Sequence, residues 1–218
     1  MNRNLLGAAV LSLGLVAGAA NAAVIVNGSF ELGDDPGGYS TQTAGSTAIT
    51  GWNVGGFGVD YIGTYWQAAE GVRSVDLSGD NAGSVWQSFA TDPGTTYTVN
   101  FSLSGNPDGG PGNKLSVISI SGSLPSVQIY EVLPSNSRED MNWQDFSYTF
   151  TAFATSSTLT FASAEYTPYG PALDNVSILE GDGSGSTVPE PASWALMLIG
   201  FGFVGAASRR RGMRTVTA

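Results

Sequence analysis

Two kinds of side chain in this sequence are equipped for chemistry or recognition: carboxylates and aromatic rings. There is no histidine and no cysteine. That excludes Ser-His-Asp and Cys-His nucleophiles, His- or Cys-ligated zinc sites, and disulfides. Of the 18 acidic residues all but Glu190 fall between Ala23 and Val188, beside three basic ones, Arg73, Lys114 and Arg138, which leaves that stretch at a net −14. Two carboxylates at a fixed separation are enough to hydrolyse a glycosidic bond, and Asp60, Glu70, Asp76 and Glu165 are the candidates. Among so many acids a facing pair arises by chance, and no spacing singles one out. A hydrolase using paired carboxylates therefore stands as the alternative, and a non-catalytic domain is expected.

The aromatic residues suggest sugar. Sugar rings present apolar C–H faces that stack on Tyr and Trp, while neighbouring Asn, Asp and Gln hydrogen-bond their hydroxyls. Tyr65-Trp66-Gln67 and Tyr166-Thr167-Pro168-Tyr169 place rings among polar and turn residues, with Asn106 and Asp108 as hydrogen-bonding partners. Tyr65 and Trp66 read first as a plug beneath a loop and second as ligand contacts. Trp52, Trp86 and Trp143 lie in or beside strand runs and are expected in the core. Asp174 shares period-two parity with Val176 and Ile178, so its carboxylate is expected on the core side. An unpaired carboxylate there costs several kcal/mol and must be satisfied.

The elements that must position these residues are strands. Tyr97, Val99, Phe101 and Leu103 alternate with Thr98, Asn100, Ser102 and Ser104, the clearest period-two run in the chain. Phe146, Tyr148 and Phe150 alternate with Ser and Thr, as do Leu159 and Phe161. Weaker strands are expected at Val24–Val26, Val59–Tyr61, Ser74–Leu77, Ser84–Phe89, Leu115–Ile120, Val127–Val132 and Asp174–Leu179. Turns at Asp92-Pro93-Gly94, Asn106-Pro107-Asp108-Gly109-Gly110 and Pro168-Tyr169-Gly170-Pro171 punctuate them. Many short strands, each with one polar face, predict an all-β, antiparallel sandwich of jelly-roll type.

Both ends read as addresses. Residues 1–22 form a signal peptide: Arg3, an apolar run from Leu5 to Ala19, and the small-residue site Ala20-Asn21-Ala22. The domain follows over 23–179, then a flexible linker, Glu180–Thr187. Its eight residues span ~16 Å r.m.s.. The tail, 188–214, holds Pro189-Glu190-Pro191, an uncharged run from Ala192 to Ala207, and Arg209-Arg210-Arg211. As a helix that run measures roughly 24 Å, a little short of the ~30 Å hydrocarbon core, and the arginines mark its cytoplasmic side.

The tail resembles the PEP-CTERM sorting signal of Gram-negative, exopolysaccharide-producing bacteria, through Pro189-Glu190-Pro191, the opening Trp194-Ala195-Leu196-Met197-Leu198, Gly200, Gly202, Gly205 and the arginine cluster. An ordinary C-terminal membrane anchor is the plainer reading, which Pro-Glu-Pro at this distance disfavours. The resemblance implies export through the Sec machinery across the inner membrane, transient anchoring by a transmembrane helix, cleavage near Pro-Glu-Pro by an exosortase, and delivery to the cell surface or beyond. The domain resembles the choice-of-anchor C family through Asn27-Gly28-Ser29-Phe30-Glu31, Gly51-Trp52, Val59-Asp60-Tyr61-Ile62, Tyr65-Trp66-Gln67-Ala68, Gly71 to Gly79, Trp86-Gln87-Ser88-Phe89, Gly105-Asn106-Pro107 and Gly170 to Ser177. The loosely patterned stretch from Leu124 to Asn142 departs from it. That family is similar to the galactose-binding-like jelly roll, whose modules often hold a structural calcium near the chain ends. The matching carboxylates here are Glu31 and Asp174, with loop carbonyls to complete six to eight oxygens. Asp174 capping backbone N–H groups beside a solvated Glu31 is the other reading.

The expectation is therefore an exported surface or matrix protein, associated with exopolysaccharide or biofilm, whose domain binds extracellular polysaccharide. Its negative charge argues against nucleic acid and anionic lipid as partners. The same charge disfavours self-assembly without bridging cations. The triplets Asn27-Gly28-Ser29 and Asn175-Val176-Ser177 coincide with the family motifs, and no modification is attached to them.

Overall fold

The computed structural model describes residues 23–181. The expected signal peptide, most of the linker and the tail lie outside the described residues. Among the described residues, eleven strands and one 3-10 turn, Pro107–Gly109, make up the regular structure. The strands are β1 (Tyr39–Gln42), β2 (Asn53–Gly56), β3 (Val59–Ile62), β4 (Ser74–Asp76), β5 (Gly83–Ala90), β6 (Thr96–Gly105), β7 (Gly112–Ile120), β8 (Ser126–Val132), β9 (Gln144–Thr151), β10 (Ser156–Ser163) and β11 (Pro171–Glu180). They form two sheets, β1-β3-β4-β11-β6-β9 and β2-β5-β10-β7-β8, antiparallel at every pairing. This is the all-β jelly-roll sandwich predicted. No helix among the described residues is long and apolar enough to cross a membrane.

The alternation in β6 does the work expected of it. Tyr97, Val99, Phe101 and Leu103 point into the space between the sheets and are buried. From the facing sheet Phe161 meets Phe101 edge-on, centroids 4.9 Å apart, and Leu159, Ile118, Ile120, Val85 and Phe89 complete the layer. Removing a ring such as Phe101 costs about 3–5 kcal/mol. A second, smaller cluster of Ile62, Trp66, Met141 and Ala172 lies apart from this core.

Val24–Val26 is not a strand. The buried side-chain amide of Gln87 stands in for one, accepting from Val26 N at 3.0 Å and donating to Val26 O at 3.1 Å. β1 and β2 were not expected, because Tyr-Ser-Thr-Gln and Asn-Val-Gly-Gly carry almost no apolar pattern. In the stretch from Leu124 to Asn142, β8 pairs with β7, Leu115 opposite Ile129. The loop beyond it closes on buried Met141, whose carbonyl accepts from Asn136 Nδ2 at 2.9 Å and Tyr130 Oη at 3.1 Å.

The parity expected for Asp174 is corrected by a bulge. Leu173 pairs with Leu103 and Asp174 with Ser102, but Ser177 pairs with Asn100, so Asn175 and Val176 together oppose Phe101. Asn175 takes φ 51°, and facing shifts by one residue there. Leu173 and Val176 both reach the core. Asp174 shares the outer side with Ser102, opposite to Ile178, and is buried there by the 68–70 loop.

Candidate functional site

A cleft of about 390 Å³ opens at the end of the sandwich where β6 gives way to the 3-10 turn. Tyr39 on β1, Asp60 and Ile62 on β3, Tyr65 and Trp66, Asn106 and Asp108, Arg138, and Pro168-Tyr169 line it. Asn106 caps the turn by accepting from Asp108 N at 3.0 Å, which fixes Asp108 at the rim. Arg138 Nε and Nη2 grip both oxygens of Asp108 at 3.1 and 2.8 Å. The Tyr65 hydroxyl donates to Asp108 Oδ2 at 2.7 Å and accepts from Arg138 Nη2. The guanidinium lies over the Tyr65 ring, 4.0 Å from its centroid, and Tyr39 meets that ring edge-on at 4.9 Å. Tyr39 and Tyr169 are 49 % and 41 % exposed, so both keep ring surface open to solvent.

The cleft collects five of the six ligand candidates, in unequal roles. Trp66 is a plug: it is 5 % exposed and donates from Nε1 to Ser74 Oγ at 2.8 Å. Asn106 is buried, and its Nδ2 donates inward to Asp76 Oδ2 at 2.9 Å. Tyr65 shows the cleft an edge, since Arg138 holds one face and Asp108 the hydroxyl. Asp108 and Tyr169 face the opening. Tyr166, 86 % exposed, lies outside the lining. Tyr39 and Arg138 were missed as site residues. Tyr39 sits in a polar segment, and Arg138 in the unpatterned stretch, where its rarity as a cation was the available signal.

Charge divides the carboxyls. Burial and the nearby Asp80 push Asp60 up, against a hydrogen bond from Thr41 at 2.6 Å. Burial acts the same way on Asp108, but the hydrogen bonds from Arg138 and Tyr65 outweigh it and hold that carboxyl below its ordinary value. Tyr65 is raised to about 12, first by its hydrogen bond to Asp108. Directly opposite Asp60 stands fully buried Asp76. Burial raises Asp76 to about 8 despite hydrogen bonds from Ser78 N, Asn106 Nδ2 and Gly170 N. Asp76 is closed to any substrate. Glu165 accepts from Leu115 N at 2.8 Å.

Glu31 and Asp174 do not fit a calcium shell. Glu31 Oε1 accepts from Val72 N and Arg73 N at 2.7 and 2.8 Å. Asp174 Oδ2 accepts from Ala69 N and Glu70 N at 2.8 and 2.9 Å, and Oδ1 from Asn175 N at 2.6 Å. Three of the four oxygens thus face N–H dipoles whose positive ends occupy the place a cation needs. Among the described residues no group of three or more acidic side chains is arranged to hold a metal ion. Glu31 and Asp174 pin the 69–73 loop.

Of the tryptophans expected in the core, Trp52 is there. Trp143 packs against the smaller cluster and donates from Nε1 to Gln67 O at 2.9 Å. Trp86 is corrected: its ring lies on the solvent side of β5, 38 % exposed.

Residues 23–179 match the family described as a protein of unknown function, DUF642. The chain belongs to the DUF642 family. The match does not carry the choice-of-anchor C label that the motifs suggested. Residues 187–211 match the PEP-CTERM protein-sorting motif, which contains Pro189, Glu190, Pro191 and Arg209 to Arg211. The DUF642 region is similar to part of Halomucin from Haloquadratum walsbyi, 34 % identical over 166 residues. That alignment covers 72 % of this chain, which spans 2 % of the length of that relative. Among solved structures, a family 16 carbohydrate-binding module is 20 % identical with a TM-score of 0.42, covering 72 % of this chain and 99 % of its own. The CBM22-1 xylan-binding domain of Paenibacillus barcinonensis Xyn10C is 16 % identical with a TM-score of 0.44, covering 75 % and 97 %.

Proposed function

We propose that this DUF642 protein is exported, processed by an exosortase at its C-terminal signal, and binds neutral extracellular polysaccharide through the cleft between β1, β3 and the 106–110 turn. The observation that carries the binding reading is the pair of solvent-facing rings, Tyr39 and Tyr169, on one cleft whose polar groups are held in place from behind. Rings supply the stacking surface, and Asp60 and Asp108 accept hydrogen bonds from hydroxyls. Asp108 reaches the cleft already neutralised by Arg138. With the one cation spent, an uncharged sugar suits the cleft better than a uronate.

The test is affinity electrophoresis of the wild-type protein and of Tyr169→Ala in gels containing neutral or uronate-rich polysaccharide. Retardation by the neutral polymer, lost in the variant, supports the reading. Equal migration with and without polysaccharide overturns it. Processing is read by mass spectrometry of protein recovered from cells and medium, which locates both termini.

One observation favours hydrolysis instead: the cleft pairs a carboxyl pushed up, Asp60, with one held down, Asp108, the division of labour an acid and a base need. Against it, Arg138 and Tyr65 hold Asp108 below its ordinary value, which makes it a poor base for activating a water. Release of reducing ends by the wild type and not by Asp60→Asn would establish that alternative.

A further inference from the structure

We propose that the end of the sandwich opposite the cleft is a lipid-contact surface, used while the protein is still held at the membrane. The proposal rests on the sorting reading above, and the experiment below separates the two.

β11 runs away from the cleft and ends at Glu180, which pairs with Tyr97, itself paired with Phe150. Strand neighbours lie ~4.8 Å apart, so the chain leaves the domain about 10 Å from Phe150. Phe150 lines a groove of about 410 Å³ with Gly122, Leu124, Tyr148 and Phe153. Leu124 and Phe153 stand out of it, 87 % and 72 % exposed. Both are held rather than loose. The Tyr148 hydroxyl donates to Leu124 O at 2.7 Å, and Phe153 lies on Gly122, where an added Cβ would come within 3.3 Å of the ring. Leu179, 61 % exposed, lies on the last turn-ward residues of β11.

The occupant follows from where the chain goes next. Twelve residues, Glu180 to Pro191, separate Leu179 from the apolar, uncharged run that begins at Ala192, and they span ~19 Å r.m.s.. On average that tether brings this end closest to a bilayer holding the run. Glu180 ends β11, and Asp92 N donates to Tyr97 Oη, so acids stand at this end. Lys114 and Arg138 belong to strand and loop at the cleft end, and Arg73 is turned to Gly33 O, Asp34 O and Tyr61 Oη. Attraction to anionic headgroups is therefore absent, and contact works by seating two apolar side chains in the interface. Such a contact is too small to hold a free domain. On a short tether the effective concentration is millimolar, and it suffices. Cleavage of the tether ends it.

The full chain is reconstituted into phosphatidylcholine liposomes with and without lipids brominated in the acyl chain. Phe153→Trp is the reporter, and Tyr166→Trp, at an exposed site of the cleft end, is the control. The expected result is that emission added by Phe153→Trp falls by about half in brominated liposomes, as for a ring ~5–10 Å into the boundary layer, while that of Tyr166→Trp is unchanged. Chain that floats with the liposomes but shows no quenching of Phe153→Trp, or equal quenching of both, overturns the proposal and leaves the anchor intact; a protein surface then covers the groove. Chain that does not float overturns the anchor reading, and this proposal with it.

Discussion

Stability of the domain falls as pH rises through neutrality, because Asp76 is a buried acid held near pKa 8. An unfolded aspartate titrates near ~3.9. Between those values the folded protein carries a proton that the unfolded chain has lost. Stability is then fully present below the unfolded pKa, declines as pH rises toward the folded one, and levels off above it. The slope is about 1.4 kcal/mol per pH unit for one such group, or roughly 3 kcal/mol between pH 5 and 7. Asp174, raised to about 7 chiefly by burial, adds to the same slope over a narrower window. Against a typical total of ~5–15 kcal/mol this is large. In urea the midpoint should drop by on the order of 1 M or more from pH 5 to pH 7. Asp76→Asn removes the titration. Its carbonyl still accepts from Ser78 N and Gly170 N, but its amide meets the Asn106 amide, a cost of about 1–3 kcal/mol. The variant is therefore weaker than wild type at pH 5 and flatter between pH 5 and 8. A wild-type midpoint that holds constant or rises over that interval refutes the reasoning, as does an Asp76→Asn curve with the slope undiminished.

Three further outcomes are expected. Tyr169→Ala lowers affinity for neutral polysaccharide by about tenfold, the ~1–1.5 kcal/mol worth of one stacked ring, and leaves the melting temperature within a degree or two; isothermal titration and a thermal melt read both. Asp174→Asn costs about 2–3 kcal/mol by turning an N–H donor toward buried backbone amides, whereas calcium or EGTA leaves the melt of the wild-type protein in place. Gly28→Ala places a Cβ 1.8 Å from Val176 O, beside the bond that Val176 N donates to Gly28 O, and should abolish the cooperative melt in circular dichroism.

What the sequence disclosed tracks how local each signal is. β6 and β9 were legible because their apolar residues alternate and the sheet keeps that alternation without interruption. Tyr65, Asn106, Asp108 and Tyr169 were legible because rings and amides in turn-rich segments have few structural uses. That they line one cleft was not, since their meeting depends on the antiparallel order β3-β4-β11-β6. Tyr39 gave no signal because β1 lacks an apolar face. The side on which Asp174 emerges depended on one extra residue at Asn175, and a period-two reading has no means of detecting a bulge. Trp86 shows the same limit from the other direction: it lies in a strand run, but on the face that meets water.

The acid excess itself has a structural explanation that composition alone does not suggest. A sandwich with long loops, no disulfide and almost no helix must still satisfy the backbone N–H groups of those loops. Here acidic side chains do it. Glu31 and Asp174 hold successive halves of the 69–73 loop, Asp76 joins Ser78 to Gly170 across two connections, Glu165 ends the β7 side, and Asp35 and Asp140 close tight turns at Gly37 and Asn142. An acid used this way accepts one to three hydrogen bonds from dipoles fixed in the chain and has no need of a lysine or a metal ion. The scarcity of cations then follows, because Arg138 alone forms an ion pair among the described residues. That pair sits at the cleft, where a fixed charge is needed to hold Asp108 and Tyr65 in one geometry. Six acids elsewhere build loops, and the salt bridge marks the place where shape must be kept for something that comes and goes.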